Sequence, residues 1–140
     1  MTEDRYNLSR FIEAQDGVFP IALRELQKGC KRSHWMWYIF PQLKHLGHSY
    51  NSRFYGLSGL DDAAAYLKEA TLGKRLREVS EAILALPTDD AREVFGGIDC
   101  VKLRSSMTLF DAVCPDDIFA RVLDKFFNGQ RDNRTLKIIK

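Results

Sequence analysis

From Leu72 to Leu86 the apolar residues Leu72, Leu76, Val79, Ile83 and Leu86 recur every three or four positions, until Pro87 ends the run. That spacing is the signature of an amphipathic helix. Similar runs fill most of the chain, whereas sustained alternation with a period of two is missing. The exception is Trp35 to Phe40, a short apolar run that reads as a strand or an irregular segment. The expected fold class is therefore mainly α, as a single compact multi-helical domain over residues 1–140.

The punctuation agrees with that reading. Leu8, Phe11 and Ile12, then Val18, Ile21, Leu23 and Leu26, predict two helices, with Pro20 near the start of the second and Gly29 after its end. Asp61-Asp62 opens a third that closes near Thr71, its acids at the positive end of the helix dipole. A short helix from Asp90 to Phe95 is stopped by Gly96-Gly97, and Asp99 opens another that runs to Val113. Asp116-Asp117 starts a helix whose apolar side is Ile118, Phe119, Val122, Leu123, Phe126 and Phe127, and Asp132 caps a last one from Asn133 to Ile139.

Composition excludes several classes. The longest uncharged stretch, Ser33 to Leu43, is far shorter than the roughly 20 apolar residues a bilayer span needs, and no apolar core follows the charged N-terminus. A cytoplasmic protein with no membrane association is expected. Cys30, Cys100 and Cys114 form no CxxC motif and are expected to be reduced and buried. With 21 Lys and Arg against 19 Asp and Glu, the net charge of +2 gives no whole-protein reason to bind nucleic acid.

The charge is unevenly spread. Between Arg24 and Arg53 lie six basic residues against the single acid Glu25, together with His34, His45 and His48. Inside this window sits Lys31-Arg32-Ser33-His34-Trp35-Met36-Trp37-Tyr38-Ile39-Phe40-Pro41-Gln42. A cleft for a small phosphorylated nucleoside calls for this mixture. Lys31, Arg32 and Ser33 suit phosphate oxygens, Trp35 or Trp37 can stack a base at about 1–3 kcal/mol, and Gln42 or His34 can orient the ligand. The competing reading makes most of the aromatics core. His34 is also a candidate general base, since histidine titrates near neutrality. His45 and His48 are three apart, but Gly47 between them spoils the helical geometry of a ligand pair, so neither a metal nor another cofactor is expected.

A second dense stretch runs from Phe95 to Phe110. On a helix Asp99, Lys102 and Ser106 share one face, so acid, cation and hydroxyl point the same way. Lys102 could neutralise a phosphate or leaving group, Asp99 could act on a water, and Ser105 and Ser106 could bind a sugar. The plainer reading is an N-cap followed by a surface ion pair. The order Lys-x-x-Ser-Ser reverses that of a Ser/Lys nucleophile dyad, which is not the leading mechanism. Glu13 belongs on a solvated helix face.

Leu8-x-x-Phe11-x-x-Ala14-Gln15, the string Lys31 to Gln42, Phe95-Gly96, Lys102 to Phe110, and Phe126-Phe127-x-Gly129-x-x-Asp132-x-x-Thr135-Leu136 together resemble the bacterial family called domain of unknown function 1810. The resemblance covers nearly the whole chain and implies a small helical cytoplasmic domain with no established activity. In layout the chain is also similar to the NADAR superfamily, helical domains linked to NAD and ADP-ribose, some of which hydrolyse N-glycosidic bonds. That superfamily carries a Glu in its early helix, whereas residues 31–42 contain no acid. The likeness therefore implies that Asp99, Glu13 or His34 would activate the water.

Two readings follow. In the first, one polar cleft joins both motifs and takes an ADP-ribose-like ligand, with His34, Asp99 and Lys102 as catalytic candidates and N-glycosidic hydrolysis as the reaction. In the second, the basic aromatic segment is a non-catalytic surface for a protein or single-stranded nucleic acid.

Overall fold

The computed structural model describes residues 4–139, and their regular structure is helical. In chain order the helices are α1 (Ser9–Gln15), α2 (Phe19–Gln27), α3 (Met36–Ile39), α4 (Tyr50–Tyr55), α5 (Leu60–Lys68), α6 (Ala70–Leu84), α7 (Ala91–Val113), α8 (Ile118–Phe127) and α9 (Asn133–Ile139). A 3-10 turn covers Lys44–Leu46, and one isolated parallel bridge pairs Leu43 with Leu57.

Helices α6 and α7 form the centre, with α5 and α8 packed against both and α2 laid on α6. The periodic residues Leu72, Leu76, Val79 and Ile83 are all buried, as are Ile118, Phe119, Val122, Leu123 and Phe126 of α8. Burial of this apolar stripe, rather than helix propensity, holds the elements in place. Asp117 accepts a hydrogen bond from the Ile118 N–H at the start of α8, and Asn128 in the left-handed conformation ends it. Helix α7 is broken where expected: Gly96 has φ 83° and ψ 170°, so residues 91–95 and 97–113 are two helical pieces at a kink.

Three expectations need correction. Trp35 to Phe40 is not a strand but one helical turn, in which the Trp35 carbonyl accepts from the N–H groups of Tyr38 and Ile39. A continuous apolar run lacks the polar face that distinguishes a strand from a buried helix. The third helix stops at Lys68, because Glu69 turns extended and caps α6 through its side chain. Cys30 is exposed and Cys114 half-buried, while Cys100 is buried; all three are free thiols.

Gln15 ties the small helix α3 to the core. It is buried, donates to the Tyr38 carbonyl (2.7 Å) and the Tyr66 hydroxyl (3.1 Å), and accepts from Arg75 (3.2 Å). Burial pushes the Tyr66 hydroxyl well above the ordinary tyrosine range, so it stays neutral in this network. Lys125 has a comparable role at the C-terminus of α6, where its ammonium donates to the carbonyls of Ile83 (3.2 Å), Leu84 (2.8 Å) and Leu86. The last carbonyls of a helix lack N–H partners four residues on, the Leu86 N–H reaching only that of Ile83 (3.3 Å), and a cation there also meets the negative end of the dipole. Lys125→Met should therefore cost about 2 kcal/mol, seen as a fall in Tm on the order of 6 °C. A Tm within 1 °C of the parent would show that water replaces the ammonium at no cost.

Candidate functional site

The segment after α2 is held by Glu25. Its carboxylate accepts from the N–H groups of Arg32 (2.8 Å) and Ser33 (3.0 Å), the Ser33 hydroxyl (2.6 Å) and the Trp35 indole N–H (3.0 Å). Burial alone would raise its pKa, but the Ser33 hydroxyl and the Arg32 and Ser33 amides, joined by the Trp35 indole, outweigh that and hold it at about 2. The single acid of the basic window is thus the post around which residues 32–35 turn.

Beyond that turn Lys31 crosses to α7. Its ammonium lies 2.9 Å from Asp99 Oδ2, contacts the Ser33 carbonyl and stands 4.8 Å from the Trp35 ring centroid. Its backbone N–H donates to the Val94 carbonyl (2.8 Å), just before the Gly96 kink. The other carboxylate oxygen of Asp99 is 3.3 Å from the Lys102 ammonium, which in turn faces the Trp37 ring at 5.7 Å. One acid therefore clamps two cations from segments far apart in the chain.

Two adjoining chambers meet at Lys102, with Lys31 and Asp99 bordering only the smaller. The smaller, about 200 Å³, is bordered by Lys31, His34, Trp37, Asp99 and Lys102, with Ser49 and Asn51 from the start of α4. The larger, about 560 Å³, shares Trp37, Ser49 and Lys102 and adds Gln42, His48, Ile98, Val101, Arg104, Ser105, Asp132 and Arg134. Together the two hold four full cations, Lys31, Lys102, Arg104 and Arg134, against Asp99 and Asp132. Asp132 is already committed: it accepts from the Thr135 N–H and hydroxyl and lies 3.1 Å from the Ser105 hydroxyl, capping α9 and fastening it to α7. Gly47 keeps the chamber wall thin, since a Cβ there would sit 2.9 Å from Ser52 Cβ and 3.2 Å from Trp37 Cζ2.

The cleft thus brings together Lys31, His34, Trp37, Gln42, Asp99, Lys102 and Ser105 from the two motifs read in the sequence. Four others, Arg32, Ser33, Trp35 and Ser106, lie outside it. Trp35 has no exposed surface and gives its indole N–H to Glu25, so neither ring face is open to a base. The Ser33 hydroxyl is bound to the same carboxylate. Arg32 borders a separate groove with Arg24 and Lys28. Ser106 is fully buried, with no hydrogen-bond partner for its hydroxyl among the described residues, and it packs in α7 rather than lining the cleft. Even Trp37 is only 7% exposed, so it serves as a wall and not as a stacking platform. Glu13 is exposed on α1, on the solvated face expected of it.

Ser49, Asn51, His48, Arg104 and Arg134 were missed as cleft residues. No local spacing marks them, because His48 and Ser49 just before α4, Asn51 in α4, Arg104 in α7 and Arg134 in α9 meet by tertiary packing. A further depression of about 550 Å³ near Cys100 and Lys125 contains Asp89 and Asp90 and none of residues 31–42. Among the described residues no three His, Cys, Asp or Glu side chains gather as a metal site, and no helix is long and apolar enough to cross a membrane.

Comparison with known proteins agrees with the fold. The family model described as "Protein of unknown function (DUF1810)" matches residues 5–139. The crystal structure of a conserved hypothetical protein, Rv1873, from Mycobacterium tuberculosis superposes with a TM-score of 0.95 at 40% identity, over 97% of this chain and 98% of that one. No curated protein matches the chain.

Proposed function

The chain belongs to the DUF1810 family of proteins of unknown function, and from that premise we propose that its two-chambered cleft binds a small phosphorylated nucleoside-type ligand of the ADP-ribose class. The observation that carries this reading is Asp99, ion-paired at once to Lys31 and to Lys102, the cation shared by the two chambers. The two ammonium groups, held ready by one carboxylate, give phosphate oxygens strong charge-assisted partners at little cost in reorganisation. The smaller chamber has room for a phosphate, and the larger lies in the range of ordinary small-molecule sites.

The chemistry open to such a complex is hydrolysis of an N-glycosidic bond. Water would add to the anomeric carbon as the carbon–nitrogen bond breaks, the bonding pair leaving with the base and the water's proton going to His34 at the mouth. Asp99 would position the lysines, and Lys102 would offset the negative charge beside the reacting centre. The reading of the aromatic run as a partner surface finds less support, since Trp35, Trp37, Ile39 and Phe40 are all buried.

Lys102→Met removes one clamp cation and keeps the shape. The parent protein, titrated with ADP-ribose, AMP and ribose 5-phosphate, should gain about 2.7 kcal/mol at a hundred times the dissociation constant. The variant should bind at least about tenfold more weakly, a loss of about 1.4 kcal/mol. Equal affinity in both, or no binding by the parent at millimolar ligand, would sink the reading. Incubation of the parent with NAD or an ADP-ribose conjugate, followed by chromatography for the released base, separates hydrolysis from binding alone.

A further inference from the structure

Gln42 is 2% exposed and borders the larger chamber, yet its amide nitrogen has no hydrogen-bond partner among the described residues. Its backbone is fixed, because the Gln42 carbonyl accepts from the Leu57 N–H (2.9 Å) beside the Leu43–Leu57 bridge. A buried amide donor that no group of the chain satisfies is open to an acceptor from outside the chain.

The surroundings say what that acceptor belongs to. The neighbouring hydroxyl of Ser105 is engaged with Asp132 and the Val101 carbonyl. On the rim Ile98 and Val101 are 77% and 51% exposed, an apolar edge that a flat ring would cover. We propose that Gln42 reads the uncharged head of the ligand, donating its amide N–H to a ring nitrogen or carbonyl oxygen of a nucleobase seated in the larger chamber. Phosphorylated nucleosides are then preferred over bare sugar phosphates. This rests on the reading of the Lys31 and Lys102 chamber as the phosphate end.

The test compares AMP, UMP and ribose 5-phosphate on the parent, on Gln42→Met and on Gln42→Glu, all three by calorimetric titration, with a thermal melt to confirm that each variant is folded. Met removes the donor at similar volume, and Glu replaces it by an acceptor in the same shape. The parent should bind at least one of the two nucleotides tenfold or more tightly than ribose 5-phosphate. Gln42→Met should erase that preference and leave the ribose 5-phosphate affinity within about twofold, and Gln42→Glu should erase it too, on top of a uniform weakening of all three ligands by its added charge. If ribose 5-phosphate binds the parent as tightly as the nucleotides, or Gln42→Met weakens all three ligands alike, Gln42 does not select the base while the phosphate reading stands. If none of the three binds the parent, the phosphate reading falls and this inference falls with it.

Discussion

Glu25→Ala should lower stability at pH 7 by about 3 kcal/mol, because four donors lose one charged acceptor in a single substitution. The Trp35 indole N–H is the costliest of them, since that side chain has no exposed surface through which water could take over. The loss should depend on pH in a definite direction. The folded-state carboxyl titrates at about 2 against an ordinary value of 4.5, so its contribution is complete above about pH 4.5 and fades as the pH falls toward 2. Urea melts of parent and variant should therefore differ most at neutral pH and converge in acid. A gap that stays constant from pH 7 to pH 3 would show that the carboxylate is not what the variant lost. Because residues 32–35 also set the position of Lys31 and His34, the variant should bind ligand more weakly even where it remains folded.

Asp99→Asn should cost a similar amount, about 3 kcal/mol, for a different reason. The Lys31 side chain is only 7% exposed, and without the carboxylate its ammonium keeps the Ser33 carbonyl and the Trp35 ring as partners, while Lys102 stands nearby with like charge. Two uncompensated cations at one wall make an anion site. Inorganic phosphate, compared with chloride at matched ionic strength, should therefore raise the Tm of Asp99→Asn by several degrees more than that of the parent. A variant as stable as the parent would mean that the clamp does not hold the fold, and one that phosphate does not help would mean that the two lysines do not make an anion site. The effect is expected to be non-additive with Lys102→Met, which relieves the repulsion that Asp99 otherwise offsets.

Part of this was legible in the residues alone. The spacing of Leu72 to Ile83 and of Ile118 to Phe126 marked helices whose apolar stripes are buried, and Gly96 marked the break in α7. Asp132 was readable as a cap, although its second task of holding the Ser105 hydroxyl against α9 was not. Trp35 to Phe40 misled because a turn buried except at Tyr38 has no polar face to betray its period. Tyr50–Tyr55 lacked a signal of its own, being short and capped by Ser49 beside the 3-10 turn Lys44–Leu46.

The candidate site divides in the same way. Composition and local pattern picked out both dense segments, since the clustering of cations, aromatics and an acid is visible without a fold. They could not tell Trp37, at the cleft, from Trp35, whose indole is bound to Glu25, because the two differ in what packs against them and not in their neighbours along the chain. Nor could they show Asp99 between Lys31 and Lys102. Helix periods, caps and breaks act over three or four residues, so the sequence by itself determined them. The pairing of charges across the cleft, the orphaned amide of Gln42 and the arrival of Arg134 from α9 depend on how the helices pack around α6 and α7. Packing is decided by burial of the whole apolar surface at once, and only the tertiary structure could decide it.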